Sequence, residues 1–328
     1  MTTNPPTPSV VVTSRSFSSG TLDLVRQLEA AGLQVVRAVT DHDLDALREP
    51  LAEAVAWVAG TAPVTAAHLA LAPHLRVVAR YGVGVDAVDV AAARAANVTV
   101  TNTPGANSAA VAEHAIGLLL AALRGIPAGD ARVRSGIWDV TRGRQLAGST
   151  AGVIGFGRIG REVAQRLQAL GCKVLVHDPH LPDDAIRAAG CEPVDLTTIR
   201  DGADVVSLHA PGGNVVIDAS WVNHAKTGQT IVNTARGDLV DEEAVAGALR
   251  AGRLHAYAAD TLAYEDGTSR SPLLAADLAD RVVVTPHLGA QTVEAVDRMG
   301  AMAVEAILDV LADRRPQHLV DPPEEELA

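Results

Sequence analysis

The stretch GVIGFGRIGREVAQRLQALG, residues 152–171, completes a β-rich run (TAGVIGF, 150–156) and opens a helix (REVAQRLQALG, 161–171). Within it, Gly155-Phe156-Gly157-Arg158-Ile159-Gly160 has the spacing of a dinucleotide-binding turn. Gly155 permits the tight turn, Gly157 lets the backbone approach a pyrophosphate, and Gly160 lets the helix lie close to its strand, with the helix amino end facing the anion. The next strand, KVLVHD, ends at Asp178, 18 residues beyond Gly160. A carboxylate there can bridge the adenosine ribose hydroxyls and repel a 2′-phosphate, which favours NAD over NADP. The alternatives are a glycine turn that holds no nucleotide and a solvated strand-end Asp178.

Working outward, the strand-then-helix rhythm repeats in both directions. Towards the carboxyl end come the candidate strands DVVSLHA (204–210), TIVNTA (230–235), HAYAAD (255–260) and VVVTPH (282–287), so that with TAGVIGF and KVLVHD six strands are expected in this sheet. Towards the amino end come SVVVTS (9–14), VAWVAG (55–60), LRVVARYG (75–82) and VTVTN (98–102), with a helix at LDLVRQLEAAG (22–32). SAAVAEHAIGLLLAALR (108–124) is apolar around most of its circumference and is expected to be a buried helix between two lobes. AQTVEAVDRMGAMAVEAILDVLAD (290–313) predicts a long amphipathic helix, after which too little chain remains for a third domain. The expected fold class is therefore α/β, with two doubly wound parallel-sheet lobes. One is a Rossmann domain (107–290) inserted into a discontinuous, flavodoxin-like substrate domain (1–106 and 291–328). Residues 1–8 and the acidic end DPPEEELA are expected to fray.

Composition narrows the partners. The 328 residues carry 27 basic and 39 acidic side chains, a net charge of −12, so nucleic acid is not expected as a partner. An anionic small substrate would also be repelled at long range, and its site must concentrate positive charge locally. No apolar run is long enough for a membrane span, and the start MTTNPPTPSV lacks the pattern of an export signal. The only cysteines, Cys172 and Cys191, fit neither a disulfide framework nor a metal knuckle, so a reduced, cytoplasmic setting and no metal are expected. With only three Trp, three Tyr and two Phe, the core must come from Ala, Val and Leu packed closely.

Three polar residues stand at the carboxyl ends of successive predicted strands of the same sheet, where open α/β folds bind ligands. Arg236, after TIVNTA, can grip a carboxylate in a bidentate fork and supply the local positive charge. His287, in TPHLGA, stands where an acid–base imidazole is useful, and Glu265, in AADTLAYEDG, can accept its second N–H and raise its pKa. Taken singly, each also fits a blander role: a surface salt bridge, a merely hydrogen-bonded histidine, a solvated loop glutamate. The acids Asp41, Asp43 and Asp45 around His42 read as helix caps rather than ligands, and His68, His74 and His114 are scattered without ligand spacing. Arg132, Arg134, Arg142 and Arg144 form a basic stretch that suits a subunit contact or a solvated face.

The chain resembles the NAD-dependent D-isomer-specific 2-hydroxyacid dehydrogenases over nearly its whole length. The motifs that carry the resemblance are RYGVGVDAVD (80–89), TNTPGANSAAVAEHAIGLLL (101–120), GVIGFGRIGREVA (152–164), NTARGDLVDEEAV (233–245), DTLAYED (260–266) and TPHLGAQTVEA (285–295). The resemblance implies hydride transfer between NAD(H) and C2 of a small D-2-hydroxy or 2-oxo acid, with Arg236, Glu265 and His287 as the catalytic set. It further implies that Arg158 and Ile159 meet the pyrophosphate, Asp178 the ribose, and Thr234, Ala235 and Asp260 the nicotinamide end. Tyr81, Gly82, Val83 and Gly84 would offer backbone N–H groups to the substrate carboxylate, Asn107 would face the cleft, and homodimers would form through the cofactor lobes. Lobe closure would hinge near Asn107 and Ala290. The family scaffold also serves NAD-sensing corepressors, which keep the same motifs and form the alternative reading. Ala59 stands where phosphoglycerate dehydrogenases usually carry an Arg, which weakens that substrate, and phosphite dehydrogenase carries a Lys near the position of Val83, which argues against that relative.

Overall fold

The computed structural model describes residues 7–265 and 270–321. The expected fraying of the two ends, and Asp266 of the DTLAYED motif, fall largely or wholly outside those residues. The chain divides into two compact units, Met1–Asn107 with Gln291–Ala328, and Ser108–Ala290. Asn107 falls in the first unit, one residue from the expected boundary, because the helix that opens the second begins at Ser108.

The first unit holds five parallel strands: β1 (Ser9–Val12), β2 (Gln34–Arg37), β3 (Ala54–Ala59), β4 (Val77–Arg80) and β5 (Thr99–Thr101). Their order is β2-β1-β3-β4-β5, the flavodoxin-like winding. Strands β1, β3 and β4 are apolar runs covered on both faces, as parallel strands under helices must be. At the edge, β2 is only partly covered, and its short QVVR run gave no sequence signal. Asp43 caps the helix Leu44–Ala52 by accepting from the Ala46 N–H at 2.9 Å, as read from the sequence. The imidazoles of His42 and His68 are buried beside Trp57 and belong to this core.

The second unit holds β6 (Thr150–Ile154), β7 (Lys173–His177), β8 (Glu192–Pro193), β9 (Val205–Leu208), β10 (Gln229–Asn233), β11 (Leu254–Ala259) and β12 (Val282–Val284). All are parallel in the order β12-β11-β10-β9-β6-β7-β8, a doubly wound Rossmann sheet. Among the described residues it has seven strands, not the six expected. The seventh, β8, is a two-residue edge strand that contains a proline, a residue that cannot donate to a ladder and is tolerated only at such an edge. The helix Ser108–Arg124 buries nine residues, six of them, from Ala112 to Leu123, in this sheet's core. Both cysteines are free and buried, and burial pushes their thiols up.

Candidate active site

The order reverses between β6 and β9, and the glycine turn sits at that switch point. Gly155 has φ +89°, and a Cβ there would lie 2.5 Å from the His209 carbonyl carbon, so the turn at the end of β6 presses against the end of β9. At Gly160 a Cβ would meet the Gly155 carbonyl oxygen at 2.1 Å, which admits glycine alone where the helix Arg158–Ala169 crosses its strand. By contrast, a Cβ on Gly157 would meet nothing within 4 Å, leaving open space in front of the helix. Gly157 caps that helix without a side-chain hydrogen bond, so the first-turn amides remain available to an anion. Asp178 Oδ2 accepts from the Phe156 N–H at 2.7 Å and Oδ1 from the His180 N–H at 2.9 Å, which holds this carboxylate directly beside the glycine turn.

Further along the same sheet edge, Thr234 Oγ1 and His209 Nδ1 are buried without a hydrogen-bond partner among the described residues. Burial pushes His209 down to about 3, so its ring stays neutral. Unpaired buried polar atoms beside an open glycine turn are what a polar ligand would satisfy. The open cradle, the uncapped helix amino end and the carboxylate at Asp178 therefore fit a dinucleotide.

Beyond β10, Asn233 shapes the turn that carries Arg236. Its Nδ2 donates to the Arg236 carbonyl at 2.7 Å and its Oδ1 accepts from the Ala235 N–H at 3.0 Å. After β11, Asp260 is buried and receives a cluster of donors. Oδ1 accepts from Thr285 Oγ1 (2.5 Å), the Leu288 N–H (2.7 Å) and His114 Nε2 (3.2 Å), and Oδ2 accepts from the Gly289 N–H (2.7 Å). Burial is the largest single influence and would raise this carboxyl, but the donors together outweigh it and hold it below the usual range.

That carboxylate shapes the loop bearing His287, a non-glycine residue held at φ +55°. The His287 N–H donates to the Asp260 carbonyl at 3.0 Å. Its ring is brought to Glu265, with Nδ1 at 2.8 Å from Oε2, and its side chain is 41% exposed. The hydrogen bond to Glu265 is the main cause that raises the His287 pKa, against burial, which lowers it. Arg236 is close enough for its charge to lower it further. The structure thus gathers Arg236, Glu265 and His287 at one edge of one sheet, the edge that also carries Gly155, Thr234 and Asp260. Nε2 of His287 has no partner among the described residues, so the ring can pass a proton to a ligand.

In the first unit the expected substrate loop follows β4. Gly82 has φ +143°, and the Val83 carbonyl accepts from Asn102 Nδ2 at 2.7 Å. The Tyr81 ring is turned into the core: its hydroxyl donates to the Val296 carbonyl at 2.8 Å, and burial pushes it up to about 12. Only the main chain of Tyr81 is left for a ligand. Asn107 is buried, with no partner for Oδ1 among the described residues. The contact of His114 with Asp260 and Thr285 was missed from the sequence; its one signal was an imidazole on an otherwise apolar helix face.

A doubly wound sheet with an open glycine turn at its switch point defines a dinucleotide-binding α/β protein. Residues 116–289 match the model of the D-isomer specific 2-hydroxyacid dehydrogenase NAD binding domain, and the chain belongs to that family. It is 39% identical over 255 residues to hydroxypyruvate reductase of Thermotoga maritima, covering 76% of this chain and 81% of that one. To D-3-phosphoglycerate dehydrogenase of Mycobacterium bovis it is 44% identical over 290 residues, covering 86% of this chain and 54% of the relative. The chain thus spans about half the length of the phosphoglycerate dehydrogenases it matches. The crystal structure of TT0316 protein from Thermus thermophilus superposes with a TM-score of 0.85 at 33% identity, over 95% of this chain and all of that one.

Proposed function

We propose that the protein is an NAD-dependent oxidoreductase that interconverts a small D-2-hydroxy acid and its 2-oxo acid. The observation that carries this reading is the His287–Glu265 pair at 2.8 Å, on the sheet edge that also presents Arg236 and the glycine turn. Gly155, Gly157, Arg158, Ile159 and Gly160 would hold the pyrophosphate, Asp178 the ribose, and Thr234, Ala235 and Asp260 the nicotinamide end. When bound, the nicotinamide supplies or accepts the hydride at C2.

The protein's own groups do the rest. In reduction, protonated His287 gives its Nε2 proton to the carbonyl oxygen, while Glu265 holds the other ring N–H and favours the cation. In oxidation, neutral His287 takes the hydroxyl proton through the same nitrogen. Arg236 forks the substrate carboxylate and balances the charge that develops on the oxygen. The main-chain N–H groups at Tyr81, Gly82, Val83 and Gly84, with Asn107, are assigned to the substrate carboxylate and its surroundings. The decisive experiment is a panel of glyoxylate, hydroxypyruvate, pyruvate and phosphohydroxypyruvate with NADH and NADPH. Steady turnover with NADH and at least one 2-oxo acid is expected; no oxidation of NADH with any of them would refute the reading.

Glu265→Gln removes the main cause that raises the His287 pKa. Oxidation needs the neutral ring, so the acid limb of kcat/KM for the hydroxy acid should move to lower pH. Reduction needs the imidazolium, so activity should disappear at lower pH as pH rises. An unmoved limb in both directions would break the pairing.

A cytoplasmic homodimer formed through the second unit completes the proposal. Support comes from the segment after the helix Ile126–Arg134, where Trp138 is 87% and Val140 95% exposed on a chain poor in aromatics. Trp138→Glu should turn a dimer into a monomer in sedimentation equilibrium, and an unchanged dimer would place the interface elsewhere.

A further inference from the structure

His114 lies in the middle of the helix Ser108–Arg124, 171 positions before Thr285 in the chain, yet its ring reaches the loop that carries His287. Its Nε2 is 2.8 Å from Thr285 Oγ1 and 3.2 Å from Asp260 Oδ1. Proton counting fixes its role. The single Thr285 hydroxyl proton is directed to Asp260 Oδ1 at 2.5 Å, so Thr285 has none to offer the ring, and the carboxylate has none either. His114 Nε2 must therefore carry the hydrogen and donate it, an assignment that follows from the network.

The position it donates to is a narrow one. Asp260 alone ties down Thr285, Leu288 and Gly289 through its carboxylate, and His287 through its carbonyl. His287 sits at φ +55°, a conformation that a residue with a Cβ keeps only where its surroundings enforce it. The helix backs the same loop, since a Cβ on Gly289 would lie 3.0 Å from Asp260 Oδ2 and 3.5 Å from Val111. On an apolar helix a leucine would serve packing as well as an imidazole does, whereas only a donor can complete the set around Asp260 Oδ1.

We propose that His114 is a positioning residue: the Nε2–H it shares between Thr285 and Asp260 holds the 285–289 loop in the shape that aims the His287 ring at Glu265. This rests on the reading of His287 as the acid–base group, and the experiment separates the two. His114→Leu removes the donor and keeps the bulk; His114→Gln keeps a donor near the Nε2 position; Thr285→Val breaks the relay from its other side. In ¹⁵N-histidine spectra of the protein, His114→Leu should shift the His287 ring resonances and lower that ring's titration midpoint. It should cut kcat by about tenfold, because small misplacements of a catalytic group are costly, with KM for the 2-oxo acid changed much less. His114→Gln should restore most of both. Thr285→Val should reproduce the leucine variant, and the double variant should be no worse than either single one. Unchanged His287 resonances in both His114→Leu and Thr285→Val would overturn the inference, and so would a glutamine variant as impaired as the leucine one. Turnover that survives His287→Ala would instead overturn the functional reading, while the spectra still decide the role of His114.

Discussion

His287→Ala should lower kcat for 2-oxo acid reduction by about 10³-fold, within the range that a positioned acid or base supplies. NADH binding should stay within a few-fold of the parent. The expectation follows from the lack of a substitute. Arg236 offers only N–H donors and no acceptor for the proton. His114 has its Nε2 engaged by Thr285 and Asp260, and His209 is buried and neutral. Glu265 reaches the site through the His287 ring, and without that ring it faces a gap. Binding should survive because the groups assigned to the pyrophosphate and ribose, from Gly155 to Asp178, share no hydrogen bond with this imidazole, and the bond from the His287 N–H to the Asp260 carbonyl is main chain and is kept by alanine. Stopped-flow reduction together with a fluorescence titration of NADH distinguishes the two effects. Turnover within tenfold of the parent would remove His287 from the chemistry.

The features legible in the sequence were those that repeat or that need a special residue. Apolar runs such as Val10–Val12 and Val205–Leu208 announce buried parallel strands because both their faces are covered. The glycines were legible because each meets a separate steric demand, now visible as the His209 carbonyl behind Gly155 and the Gly155 carbonyl under Gly160. Two edge strands were not, because β2 is only partly covered and β8 has two residues, whereas the short edges β5 and β12 were read from their β-branched runs. In the candidate site, residues at strand ends were found, since topology alone directs them to the ligand edge. The burial of the Tyr81 ring and the reach of His114 to Asp260 were hidden, because both depend on contacts between residues far apart in the chain. No local spacing encodes a contact between positions 114 and 260.

Arg236→Lys keeps the charge and removes the fork, and kcat/KM for the 2-oxo acid should fall by about 10²–10³-fold, the loss seen when a single preorganised donor to a developing oxyanion is removed. The turn is rigid, and the Arg236 guanidinium donates from Nη1 to the Ala235 carbonyl at 2.8 Å. Asn233, fully buried, clasps both Ala235 and Arg236, and a Cβ on Gly237 would run into the Leu262 carbonyl carbon at 2.2 Å. The Arg236 turn is thereby packed against the segment leading to Glu265, which is itself anchored by the Ala263 N–H donating to Glu242 Oε1 at 2.8 Å. A lysine on that rigid turn supplies a point charge but cannot bond a carboxylate and an adjacent oxygen in one plane. The pH profile separates this loss from damage to the acid–base pair. Because lysine preserves the positive charge that lowers the His287 pKa, the pH limbs should stay in place while the plateau drops. A plateau within threefold of the parent would show that another group holds the carboxylate, and a displaced limb with an intact plateau would make Arg236 a neighbour of the imidazole rather than of the substrate.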